Sequence, residues 1–148
     1  MEIYDPREQV KVWSRVRPTQ QPVTEGLQAL AAVAMTAVAV YAALAKQLGG
    51  PQRELALQLR EQQLAVARCL KGIRRMAGAS PMQIEGAALP IQTAEAALRK
   101  NYGQGLKALR AFESRSADEE YGAVFEALAV RQREHLRKIT ELMGLLQV

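Results

Sequence analysis

The sequence predicts an all-α protein: a four-helix bundle with one long crossover between helices two and three, preceded by a short N-terminal helix. Three observations carry that prediction. Apolar residues recur every three or four positions along four long segments, the spacing that lines one face of a helix. Hydrophobic residues make up 49% of the 148 positions but aromatics only 5%, and a core built mainly from Ala, Leu and Val suits close-packed helices. The connection from Gly78 to Gln92 is too long for a tight helical hairpin, where about 2–8 residues are usual.

Residues 1–23 form a leader and 24–148 the bundle. Within the leader, Asp5-Pro6-Arg7-Glu8 reads as a helix start, with Asp as cap, Pro first and Glu three residues after the cap. A short helix to about Ser14 is expected, anchored by Val10 and Trp13 and broken off by Pro18 and Pro22. The first long helix is expected from about Thr24, a natural N-cap, to Leu48, with Leu27, Leu30, Ala34, Val38, Tyr41, Leu44 and Leu48 inward. Gly49-Gly50 ends it, and Pro51 opens the second helix where its missing N–H leaves nothing unpaired. The second stripe is Leu55, Leu59, Gln63, Val66, Leu70, Ile73 and Ala77, closed by Gly78.

The stretch Gly78–Gln92 contains Pro81, Gly86 and Pro90 and shows no sustained period. A helix of about 26 residues is about 39 Å long, and fifteen extended residues reach about 50 Å. This connection can therefore return along the whole bundle and leave the second and third helices parallel. The third helix is expected from about Thr93 to Glu113, with Leu98, Tyr102, Gly105, Leu109 and Phe112 inward. Ser116-Ala117-Asp118-Glu119 has the capping-box pattern and starts a fourth helix that reaches about Leu146. Its stripe is Phe125, Leu128, Gln132, His135, Ile139 and Leu142.

Composition narrows the function classes. A net charge of +5 is mild, since 15 acidic residues are interspersed among 20 basic ones. The densest basic cluster, Lys71, Arg74 and Arg75, lies near a helix end, where cations offset the helix dipole. No stacking aromatics accompany it, so nucleic acid is not an expected partner. Gly26 to Ala45 is twenty residues without a charge, long enough to span a bilayer. Alanine dominates it, Gln28 and Thr36 interrupt it, and Glu25 and Lys46 bracket it. It reads as the buried element of a soluble bundle, and no membrane association is expected. The first ten residues show no secretory signal, and a lone Cys69 suits a reducing cytosol.

Several stretches resemble one family. They are Val12-Trp13-Ser14-Arg15-Val16-Arg17-Pro18, Cys69-Leu70-Lys71-Gly72-Ile73 and Asn101-Tyr102-Gly103. The longest runs from Glu113 through Ser114-Arg115-Ser116-Ala117-Asp118-Glu119-Glu120-Tyr121 to Phe125, leading into Arg133-Glu134-His135. Together they resemble the ferritin-like superfamily, in particular the rubrerythrin-like proteins of anaerobic bacteria. The resemblance implies a ferritin-like bundle with a single crossover. It also implies a dinuclear iron or manganese site, made by a Glu on the first and third helices and a Glu-x-x-His on the second and fourth.

Carried onto this chain, those ligand places fall at Ala34, at Gln63 and Val66, at Gly105, and at Gln132 and His135. A one-residue slip supplies no carboxylate, since no acid adjoins Ala34, Gln63 or Gly105. Such a vestigial site offers one imidazole and two amides where four carboxylates would balance two divalent ions. Amides are poor ligands for hard cations, and uncompensated charge in a core is costly. No metal and no other cofactor is therefore expected, and no residue is assigned a catalytic role. The alternative is a di-iron or di-manganese oxidase, peroxidase or iron-handling protein with an unusual ligand set around His135.

His135 is expected to be a buried imidazole bonded to Gln63 or Gln132 rather than a ligand. Tyr41 and Tyr102 read as inward packing with bonded hydroxyls, and Cys69 as an inert core thiol. Glu61 and Glu134 are expected to face water. Gly105, in mid-helix, is compatible with a close helix approach, a cavity or drift. The functional expectation is a cytoplasmic bundle with a structural or interaction role. A homodimer is a candidate state, because alanine-rich helices pack closely.

Overall fold

Four apolar stripes of helical period need mutual burial, and four helices packed around a shared axis supply it. The computed structural model describes residues 25–79 and 93–147. It contains α1 (Leu27–Gln47), α2 (Gly50–Met76), α3 (Ala94–Arg115) and α4 (Gly122–Leu146). The expected leader helix, the Thr24 cap and the expected crossover from residue 80 to its end at Gln92 lie outside the described residues.

The neighbour pairs are α1 with α2, α3 with α4, α2 with α4 and α1 with α3. Cross-helix bonds give their directions. From Gln52–Leu145 through Gln58–Lys138 to Gln63–Gln132, numbers rise on α2 and fall on α4, so this pair is antiparallel. Arg115 Nη2 donates to the Glu25 carbonyl at 2.8 Å, tying the C-terminal end of α3 to the start of α1. The same guanidinium lies 5.9 Å from the Phe125 ring, and burial pulls its pKa below the usual value.

The core is two apolar clusters. One holds Leu27, Leu70, Ile73, Phe112, Phe125 and Leu128; the other holds Tyr41, Leu44, Leu55, Leu59, Leu98, Ile139 and Leu142. The α2 stripe from Leu55 to Ile73 and the whole α4 stripe are buried as expected. On α1 the face is shifted: Ala31, Ala37, Val40 and Ala45 join Leu27, Ala34, Tyr41 and Leu44, while Leu30, Val38 and Leu48 are only half-buried. With apolar side chains on every side, that helix had no polar face to set its rotation, and its neighbours chose it. Ala77 is exposed beyond the last turn of α2.

The hairpin turns follow local chemistry. Gly50 takes φ 56°, a left-handed conformation that favours glycine, and Pro51 occupies the first turn of α2. The Thr93 side chain caps α3 by accepting from Ala96 N–H at 3.0 Å. The expected capping box at Ser116–Glu119 does not form. Ser116 Oγ instead donates to the Glu113 carbonyl, closing α3, which runs two residues further than expected. Asp118 accepts from the N–H groups of Glu120 and Tyr121 at 3.0 and 2.7 Å and launches α4. Asp118 thus takes the capping role two residues later than the Ser116 pattern placed it.

Candidate functional site

Between the two apolar clusters lies a polar layer to which all four helices contribute. Gln63, Gln132 and His135 are the buried polar residues of the described core, at 4%, 1% and 1% exposure. His135 sits on the inner stripe of α4, flanked by Leu128, Ile139 and Leu142, so helical phase alone drives it inward. The Tyr41 hydroxyl lies 2.9 Å from His135 Nε2, and Gln62 Oε1 lies 3.1 Å from Nδ1. With a carbonyl oxygen facing Nδ1, that nitrogen carries the proton, and Nε2 accepts from the tyrosine. The two rings meet edge-on, centroids 5.5 Å apart.

A second chain of bonds runs beside the first. Gln63 Nε2 donates to Gln132 Oε1, and Gln132 Nε2 donates to the Gly105 carbonyl, both at 3.2 Å. His135 therefore does not bond Gln63 or Gln132 as expected; those amides satisfy each other. Gln62 lies one residue off the α2 stripe, a half-buried flank position that gives no periodic signal in the sequence.

Gly105 has a clear steric reason. A Cβ there would come within 2.8 Å of Leu136 Cδ2 and 3.2 Å of Gln132 Nε2. It therefore permits the close approach of α3 to α4 and leaves its carbonyl open to Gln132.

All six carried-over positions, Ala34, Gln63, Val66, Gly105, Gln132 and His135, line one cavity together with Asn101, Gln104 and apolar neighbours. Its volume is about 10 Å³, room for roughly one water. Asn101 Nδ2 is buried without a well-formed hydrogen bond, although this amide neighbours the Tyr41 hydroxyl. Two hard ions about 3.5–4 Å apart with their oxygen ligands do not fit such a space.

The electrostatics point the same way. Burial pulls the His135 pKa from 6.5 down to about 4, so the imidazole is neutral near pH 7. Burial pushes the Tyr41 phenol far above its ordinary 10, so it stays a hydroxyl. Glu61 is exposed, and Glu134 turns outward to Arg137 at 2.6 Å. Among the described residues, no three His, Cys, Asp or Glu side chains gather where they could hold an ion. A ligand set of amides, a neutral imidazole already bonded at both nitrogens and a protonated phenol does not match a dinuclear metal centre.

The remaining candidates are peripheral. Tyr102 is half-buried and lines an open surface groove of about 410 Å³ with Arg99, Thr140, Met143, Gly144 and Gln147. Cys69 is half-buried rather than in the core, and burial raises its thiol pKa even with Arg131 nearby, so the thiol stays protonated. No protein-family model matches the chain, and neither a curated protein nor a solved structure matches it.

Proposed function

We propose that this chain is a ferritin-like, rubrerythrin-like bacterial bundle that has given up dinuclear metal binding and serves a non-catalytic structural or interaction role in the cytoplasm. One observation carries the reading. The six places where such a protein would hold its ligands converge on one small cavity, and they carry neutral or apolar groups. Two internal chains of hydrogen bonds engage the former ligand places: Tyr41, His135 and Gln62 form one, and Gln63, Gln132 and the Gly105 carbonyl the other, with Asn101 Nδ2 the cavity-lining group left without a well-formed bond. Buried polar groups bonded in this way specify a packing arrangement rather than invite a cation.

Helix directions support the ferritin-like connectivity. The α2–α4 pair is antiparallel. The α4–α3 pair is antiparallel as well, since Phe112 meets Phe125 and Gly105 meets Gln132. It follows that α2 and α3 point the same way, as a ferritin-like connectivity requires.

The test is iron loading. Purified protein is incubated anaerobically with ferrous iron, desalted and then exposed to oxygen. The expected outcome is no stoichiometric iron and no near-ultraviolet oxo-bridge band. Two irons retained per chain would overturn the reading.

A further inference from the structure

The size and lining of the cavity in the polar layer select what it can hold. A volume of about 10 Å³ matches the space one water needs and is too small for a larger ligand. Cavities walled by apolar groups alone stay dry, whereas a water settles where about two to four polar groups can hold it. Here Gln63, Asn101, Gln104 and Gln132 share the lining with Ala34 and Val66. No carboxylate is among the lining residues, so a cation finds no countercharge there.

One lining group needs an acceptor. Asn101 Nδ2 is buried and makes no well-formed hydrogen bond. The Tyr41 hydroxyl stands beside it. A primary amide carries two hydrogens, however, so a bond to that one oxygen would still leave a hydrogen over. A buried N–H without an acceptor is costly, and folded proteins seldom keep one. The complementary group is on α2. Gln63 heads its chain as a donor, giving a hydrogen to Gln132 Oε1 at 3.2 Å, and its own carbonyl oxygen takes no part in that chain. Gln132 is engaged at both ends of its amide, and His135 is bonded at both nitrogens. Asn101 thus offers a hydrogen and Gln63 an oxygen to the same small space.

We propose that one resident water fills this cavity, accepting from Asn101 Nδ2 and donating to the Gln63 carbonyl. The water joins α2 to α3, which are not a neighbour pair of the bundle. It brings Asn101 of α3 into hydrogen bonding with the polar layer that Tyr41, Gln62, Gln63, Gln132 and His135 supply from the other three helices. The site therefore takes a neutral hydrogen-bonding guest of water's size. This rests on the metal-free reading above, since a cation in the cavity would displace the water. Iron retention and water residence are measured separately, so either can fail alone.

Nuclear magnetic resonance of isotope-labelled protein at neutral pH tests the site. The Asn101 side-chain amide is expected to show a cross-peak at the water frequency, with the sign of dipolar contact to a long-lived water in both laboratory-frame and rotating-frame experiments. Tyr41→Phe removes the neighbouring hydroxyl that could relay proton exchange, and the cross-peak is expected to persist. Oxygen-17 relaxation dispersion counts long-lived waters, and Asn101→Leu, a side chain of nearly the same shape, is expected to lower that count by one with the helical circular dichroism unchanged. Should Asn101→Leu fail to fold, the wild-type cross-peak decides alone. A wild-type amide without the cross-peak overturns the proposal. So does a cross-peak lost in a folded Tyr41→Phe variant, or an unchanged water count in folded Asn101→Leu.

Discussion

His135 turns the packing of the polar layer into a measurable pH dependence. Its folded pKa is depressed from 6.5 to about 4 by burial. The unfolded chain therefore binds a proton at higher pH than the folded one. Stability from the neutral imidazole is complete above pH 6.5 and declines as pH falls toward 4. A difference of 2.5 pKa units between the two states corresponds to about 3 kcal/mol at 1.36 kcal/mol per unit. By the same linkage about 2 kcal/mol is already lost at pH 5. That is a large part of the roughly 5–15 kcal/mol that holds a domain together.

The assay is urea unfolding of wild type and His135→Gln from pH 7.5 to pH 4, followed by helical circular dichroism. Carboxylates that titrate in this range are common to both proteins and cancel in the difference. The stability advantage of wild type over the variant should shrink by about 3 kcal/mol across the range. Direct titration of the His135 ring proton by NMR gives the pKa without any variant. Parallel stability curves, or a ring titrating near 6.5, would show that the imidazole is solvated and refute the buried-layer argument.

Three further outcomes follow from the packing geometry. Gln132→Glu places a carboxylate that no longer donates to the Gly105 carbonyl into a core without a cation, and should destabilise the fold by at least 3 kcal/mol at neutral pH. Burial raises such a carboxyl's pKa, so the deficit should narrow as pH falls below that raised value; if added manganese abolished it at pH 7, the metal-free reading would be wrong. Gly122→Ala should cost at least 2 kcal/mol in urea unfolding, because the new methyl would meet the Ser116 backbone carbonyl. Gly105→Ala should cost less, since it meets the end of the Leu136 side chain, and better helix propensity returns about 1 kcal/mol.

Much of this molecule was determined by local sequence. The stripes of α2 and α4 are strictly periodic, so their inward faces from Leu55 to Ile73 and from Phe125 to Leu142 could be read from spacing. The placement of His135 and Gln132 in the interior follows from helical phase on α4 alone. Only tertiary packing decided the rest. The rotation of α1 came from its neighbours, because a helix apolar all round has no amphipathic signal. The partners of His135 were decided by which groups the other helices brought within about 3 Å, and that selected Tyr41 and Gln62 over the two glutamines. Periodicity tells a side chain which way to face, whereas the group it meets depends on the relative depth of helices far apart in sequence.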